Sequence, residues 1–411
     1  MGRWIRNGLA VMAAVLVATS AAAADKRIVN LQLFTQNDLR ALAMGNAFGA
    51  IARGEDALFY NPAGLAQFNF DLKAEYSAGF SGSEKFALDT YNATSNATNQ
   101  ELLDYLNRYT GTTQRFNANT LLSAVANLGY TNFGFGFGAL DSHRYSLTFI
   151  DDGLAPNIGD PNDHLAVADD RLRMQSAAVA FKLGNGKILL GLAAKPFTYS
   201  EGSTSVQYGS ISGNLDLDIS GKDFASATTY DLGMLYRLEF WPALKPQASL
   251  VAYNIGGGEL KNKVTQEVVQ VPPSYNVGFA FGPDTGFVHW LVSFELEDIT
   301  DALKTTDFGS GMNAGLACNA ITRTQSCVNQ PRSLLQRTHI GGELGFWRTP
   351  TGNNILNLRA GNNRGYFTYG AEVNLWALRI LYAKGADNLG WQDSPDKFDF
   401  TAYQIGFGFA W

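Results

Sequence analysis

Residues 400–411 read Phe400-Thr401-Ala402-Tyr403-Gln404-Ile405-Gly406-Phe407-Gly408-Phe409-Ala410-Trp411. Side chains alternate along an extended chain, so Tyr403, Ile405, Phe407, Phe409 and Trp411 share one face and Gln404, Gly406, Gly408 and Ala410 the other. The first face suits lipid and the second suits the bore of a closed wall. Two further stretches sort in the same way. Trp290, Val292, Phe294 and Leu296 oppose His289, Ser293, Glu295 and Glu297, while Trp376, Leu378, Ile380 and Tyr382 oppose Arg379. An Arg or Lys on a lipid face costs roughly 2–4 kcal/mol at mid-membrane, so polar groups are driven inward.

Scanning outward for the same period-two pattern bounded by turn residues gives fourteen segments. They are Leu72 to Gly82, Thr120 to Gly129, Phe133 to Asp141, Arg171 to Leu183, Lys187 to Ser200, Ser226 to Glu239, Lys245 to Asn254, Ser274 to Phe281, Val288 to Asp298, Arg337 to Trp347, Asn354 to Gly361, Gly365 to Asn374, Leu375 to Lys384 and Phe400 to Trp411. Connection length alternates. Long polar stretches (83–119, 142–170, 201–225, 255–273, 299–336, 385–399) exchange with compact turns at 130–132, 184–186, 282–286 and 349–352; the eleventh-to-twelfth link, near Asn362-Asn363-Arg364, is the short exception. A soluble β-sandwich has no reason to sort loops by parity, whereas a barrel with both termini in the periplasm does. The expectation is an all-β, transmembrane antiparallel β-barrel of about fourteen strands over residues 71–411.

Composition agrees. The 411 residues are 46% hydrophobic and 17% charged, with 43 Gly, 27 Phe and 17 Tyr. Mean hydropathy is only -0.09, because alternation halves the local value in a barrel. Beyond residue 20 no run approaches the ~18 apolar residues of a spanning helix. A net charge of -6 offers no basic patch for nucleic acid. At the start, Arg3 and Arg6, an apolar core from Leu9 to Val17 and Ala22-Ala23-Ala24 make a cleavable export signal, 1–24. Cys318 and Cys327, nine residues apart in one polar segment, suit a loop disulfide in an oxidising compartment. No ligand spacing for a metal accompanies them, no cofactor is implied, and no catalytic cluster is evident.

Residues 25–70 precede the first strand. They carry the small-residue run Leu39 to Ala52, the turn Gly54-Glu55-Asp56-Ala57 and Asn61-Pro62-Ala63-Gly64. Pro62 has a fixed φ and no amide, Gly64 permits a tight reversal, and Asn61 folds onto local backbone, so the segment makes a compact non-sheet plug or simply a turn into strand one. Here the chain resembles the FadL-type outer-membrane transporters. That resemblance implies a hatch folded inside a fourteen-stranded barrel and passage of hydrophobic compounds. Val251 to Gly257, Phe294 to Asp298 and His339 to Glu343 followed by Leu358 to Gly361 are similar to relatives of the PorV and TraF-like kind, some of which serve secretion or assembly.

Candidate functional residues follow. In Phe133-Gly134-Phe135-Gly136-Phe137-Gly138 the glycines share one face; they suit either clearance for a plug or, as the resemblance implies for a third strand, a lateral gap. Asp231, Arg237, Glu239, Glu343, Arg359 and Arg379 are read as lumen charges that hold the hatch. The acidic stretch Asp151, Asp152, Asp160, Asp163, Asp169 and Asp170 is read as a solvated loop, since it lacks EF-hand spacing. Leu102, Leu103, Tyr105, Leu106 and Tyr109 form an amphipathic pattern in the first long loop, suited to ligand capture or to self-packing. The expected function is passive uptake of small hydrophobic compounds, of long-chain fatty acid or hydrocarbon type, across the bacterial outer membrane, by a monomer. Its partners would be membrane lipid, the ligand and the barrel-assembly machinery. The alternative is a non-transporting assembly or secretion component.

Overall fold

The computed structural model describes residues 27–67, 71–95, 99–109, 113–128, 132–150, 164–207, 220–264, 266, 268–283, 288–303, 332–348, 354–388 and 397–410. Residues 1–24, Cys318, Cys327, Asp151, Asp152, Asp160 and Asp163 lie outside these, as do the side chains of Leu102, Leu103 and Leu106.

Fourteen strands close into one antiparallel barrel. In chain order they are β1 (Asp71–Gly82), β2 (Thr113–Leu128), β3 (Phe133–Ile150), β4 (His164–Leu183), β5 (Ile188–Gln207), β6 (Ala227–Arg237), β7 (Gln247–Ile255), β8 (Ser274–Phe281), β9 (Val288–Leu296), β10 (Thr338–Arg348), β11 (Asn354–Asn363), β12 (Tyr366–Leu375), β13 (Leu378–Asn388) and β14 (Lys397–Ala410). Each pairs with its neighbour in sequence, and the seam is sealed by β14 against β1, from Thr401↔Gly82 to Ala410↔Lys73. Closure leaves no free sheet edge, so backbone amides are satisfied inside the wall, as the hydrocarbon requires. No described helix is long and apolar enough to cross a membrane; crossing is by strands.

The alternation read from sequence becomes the two faces of this wall. Tyr76, Leu122, Phe137, Leu192, Leu344, Ile380 and Ile405 are exposed on the outside, while Glu75, Asn127, Ser176, Asp231, Glu295, Glu343 and Arg359 are buried inside. Trp241, Trp347 and Trp376 stand exposed at the short-turn end, where amphipathic rings suit the membrane interface. Trp376 corrects the sequence reading: it belongs to the Trp376–Ala377 turn between β12 and β13, not to a strand, and has φ +56°.

Several strands run further outward than alternation foretold. β2 starts at Thr113 rather than Thr120, β3 reaches Ile150 and β4 starts at His164. The ladder continues there, for example Arg144↔Asp170 and His143↔Arg171, but above the hydrocarbon nothing selects greasy residues on one side. The first long loop is partly helical, with helices over Glu84–Ser95 and Asn99–Tyr109. Tyr105 and Tyr109 pack with Phe86, Phe116 and Phe149 in an aromatic cluster of the outer half. Residues 258–261 and 268–271 form a hairpin in the long connection between β7 and β8, and 27–28 add to it as a parallel third strand.

Candidate functional site

Residues 28–67 have little regular structure, yet almost all are buried. Their short elements are helices at Gln32–Thr35 and Leu39–Ala43 and 3-10 turns at Gly54–Leu58 and Pro62–Ala66. Two local caps fix the path. The Asp38 carboxylate accepts from Arg40 N at 2.8 Å, and Asn61 Oδ1 accepts from Ala63 N at 3.1 Å while its Nδ2 donates to the Gly49 carbonyl at 2.8 Å. Irregular buried backbone must find partners elsewhere, and inward-facing wall side chains supply them. Asn127 Nδ2 donates to Leu65 O (2.8 Å), Ser176 Oγ to Leu58 O (3.0 Å), Gln247 Nε2 to Ala50 O (2.5 Å) and Tyr253 Oη to Tyr60 O. In return Glu295 Oε2 accepts from Phe48 N and Gly49 N at 2.8 and 2.6 Å.

Charge adds two buried clusters between this segment and the wall. Arg40 grips Glu343 with Nε and Nη2 at 3.0 and 3.2 Å and reaches Asp56 at 3.4 Å; Arg359 binds the same Glu343 at 2.6 Å and Glu372 at 2.7 Å. Glu55 receives Lys73 Nζ at 2.5 Å and Arg379 at 3.4 Å, and Glu75 pairs with the same two cations. Burial alone would raise the Glu55 carboxyl, but Lys73 and Arg379 outweigh it and hold the group down at about 2. Asp56 is pushed the other way, by burial and by Asp38 and Glu55 nearby. A third contact uses His339, whose Nδ1 lies 2.8 Å from Gly45 O and Nε2 3.0 Å from Glu297.

Of the six charges read from sequence, Glu343 and Arg379 touch the segment directly, and Arg359 acts through Glu343. Arg237 donates to Gln67 O at 3.3 Å. Asp231 instead pairs with Lys195 of the neighbouring strand and accepts from Asn254 N at a bulge between β6 and β7. Glu239 is not a lumen residue: β6 ends at Arg237, and Glu239 is an exposed group bonded to Lys187 at 2.6 Å. Sequence reasoning missed Arg40, Lys73 and Glu75; the available signal was a charge at an inward-parity position, or in the leader.

The glycines are accounted for by close approach. A Cβ on Gly134 would meet Leu65 O at 2.3 Å, and one on Gly138 would meet Leu58 and Phe59 at 3.0 and 3.3 Å. Gly191 and Gly233 make the same room for Pro62-Ala63 and Asn61, at 2.2 and 2.1 Å. The ladder of β3 is continuous on both edges over Phe133 to Thr148, so no gap is open at this strand. The β4–β5 ladder is interrupted instead, between Met174↔Phe197 and Ala177↔Ala194, where Pro196 has no amide to give.

Beside that interruption lies a groove of about 930 Å³ lined by residues of six strands, β1 to β6, among them Tyr76, Leu122, Ala139, Asp141, Arg173, Gln175, Pro196 and Thr198. Most of these side chains have outward parity, so the wall is concave toward the membrane there. Two cavities between segment and wall, beside Gln36 and His339 and beside Arg115 and Phe398, hold only about 30 Å³ each.

No family model matches the chain, and no curated protein matches it. Solved structures with a similar fold do exist. They include the Pseudomonas putida toluene transporter TodX (TM-score 0.46, 12% identity, 90% of this chain and 96% of that one) and the Ralstonia pickettii toluene transporter TbuX (0.46, 12%, 90% and 96%). A Pseudomonas aeruginosa FadL homologue scores 0.38 at 11% identity over 94% and 98%. At such values the likeness carries no assignment of function.

Proposed function

We propose that the chain is an outer-membrane channel for passive uptake of small hydrophobic compounds, and that residues 25–70 are its hatch. The observation that carries this reading is the attachment of residues 28–67: they fill the inside of the wall, yet every contact holding them is a hydrogen bond, an ion pair or apolar packing. Apart from the two-residue ladder of Arg27 and Ile28 against Val269 and Gln270, such a stopper is removable without breaking a sheet ladder. The structural neighbours TodX and TbuX bear the name of toluene transporters, which agrees with a hydrophobic cargo. A lateral exit at β3 would need the hatch to withdraw first, because Leu58 and Leu65 lie against its glycine face.

The test is uptake of labelled toluene and of a long-chain fatty acid by cells lacking the protein, complemented with wild type or with a chain that lacks residues 28–67. Restoration by wild type, together with enlarged conductance of the truncated barrel in planar bilayers, is the expected result. Wild-type complementation without uptake of either compound, while the truncated barrel conducts, would overturn the cargo and leave the plug. The assembly-component reading is favoured by one observation, the water-sized cavities between segment and wall. It predicts loss of a co-purifying envelope protein, with uptake unchanged.

A further inference from the structure

We propose that the outward groove over β1 to β6 is a binding site for the phosphorylated head group of an outer-leaflet amphiphile. Depth is the first argument. Counting from the short-turn end, Asp141 is the ninth residue of β3, and Arg173 and Thr198 are the eleventh of β4 and β5; a tilted strand crosses the hydrocarbon in about 9–11 residues. Apart from Gln175, the outward residues below these positions are apolar: Phe133, Phe135, Phe137 and Ala139 on β3, Phe181, Val179 and Ala177 on β4. The groove therefore straddles the boundary between hydrocarbon and head groups.

Its lining is ordered accordingly. Leu122, Ala139, Pro196 and the single polar residue Gln175 lie toward the membrane centre, while Thr120, Asp141, Thr198 and Arg173 lie one step further out on the same strands. An amphiphile seated with its chains inward meets both halves in the right order.

Charge selects the head group. Asp141 is engaged by Arg171 through Nε at 2.9 Å and through Nη2. Arg173 approaches the same carboxylate with Nε alone, at 3.4 Å, and its side chain is 60% exposed. One carboxylate thus faces two guanidiniums, and the Arg173 fork is presented at the rim beside the Thr198 hydroxyl. A planar guanidinium with hydroxyl neighbours matches phosphate oxygens.

The experiment is native mass spectrometry of the full-length protein in dodecyl maltoside micelles, titrated separately with phosphatidylglycerol and with lipid A. The expected result is retention of at least one of them, and which one names the source of the phosphate. Retention should fall about tenfold in Arg173→Ala and recover in part in Arg173→Lys, with no change in Arg108→Ala, an arginine outside the groove lining that pairs with Asp89. Ala139→Trp, which fills the groove and keeps the charge, should abolish retention. Equal retention by wild type and Arg173→Ala, or retention unaffected by Ala139→Trp, would overturn the proposal, as would failure of the wild type to retain either lipid.

Discussion

Both halves of the barrel pack closely on the N-terminal segment, but one of them adds buried ion pairs. Around β9 to β14 and β1 the wall presents Glu295, His339, Glu343, Arg359, Arg379 and Glu75, which add ionic and polar contacts to the packing of Leu39, Leu42, Ala43 and Met44 against Gly341, Gly361, Gly370, Leu381 and Ala383. Around β3 to β6 it presents Gly134, Gly136, Ala178, Ala180, Gly191 and Gly233, and close packing with Leu58, Pro62, Ala63 and Leu65 is joined by hydrogen bonds from Ser176 and Arg237. The charged half sets where the segment sits, since directional bonds tolerate little displacement. The glycine half sets how near it can come, and its energy lies in shape.

If so, the packed half fails worst under substitution. Gly191→Val places a side chain where Ala63 N and the Pro62 carbonyl carbon already stand 2.2 Å from a Cβ. Overpacking of this kind costs about 3 kcal/mol, more where backbone must move, and the expected outcome is a folded barrel whose segment becomes protease-sensitive and whose bilayer conductance rises. Arg40→Ala tests the charged half. It leaves Asp56 without its Arg40 contact and strips Glu343 of one of two guanidiniums; loss of one partner from a buried pair costs about 3 kcal/mol, readable as a lower denaturant midpoint for segment release, with the barrel transition unchanged.

A smaller effect is expected from acid. Glu55 is held near 2 against an ordinary 4.5, so its contribution is complete above about pH 4.5 and vanishes as the pH falls through about 2. Segment retention should weaken across that window, and Glu55→Gln should flatten the profile. Least is expected of Asn61→Ala, which removes a cap and a bond to Gly49 O for about 1 kcal/mol. A segment as protease-resistant in Gly191→Val as in the wild type would refute the packing assigned to β3 to β6.

The wall was legible because lipid imposes a rule on every second residue, and the strands within the hydrocarbon stand where that rule places them. It lapses beyond the membrane, so Thr113 to Asn119 and Ser142 to Ile150 escaped detection although they are laddered. Glu239 was misplaced for a related reason: parity continues past Arg237, but the strand does not. The partners of the leader were hidden differently. Arg40 and Glu343 are 303 residues apart, and no local pattern fixes the register between an irregular segment and a curved wall. The Asn61-Pro62-Ala63-Gly64 turn announces its own shape, not the glycines on β5 and β6 that receive it.

The sealing of β14 against β1 bears on biogenesis. The leader comes first in the chain, and the strand that locks the cylinder comes last. Residues 27–28 are stitched to the hairpin at one rim, while residue 67 hands over to β1 at the other, so the thread runs the full height of the bore. Because the leader precedes every wall strand in the chain, it is available to the bore before the last strand closes the cylinder.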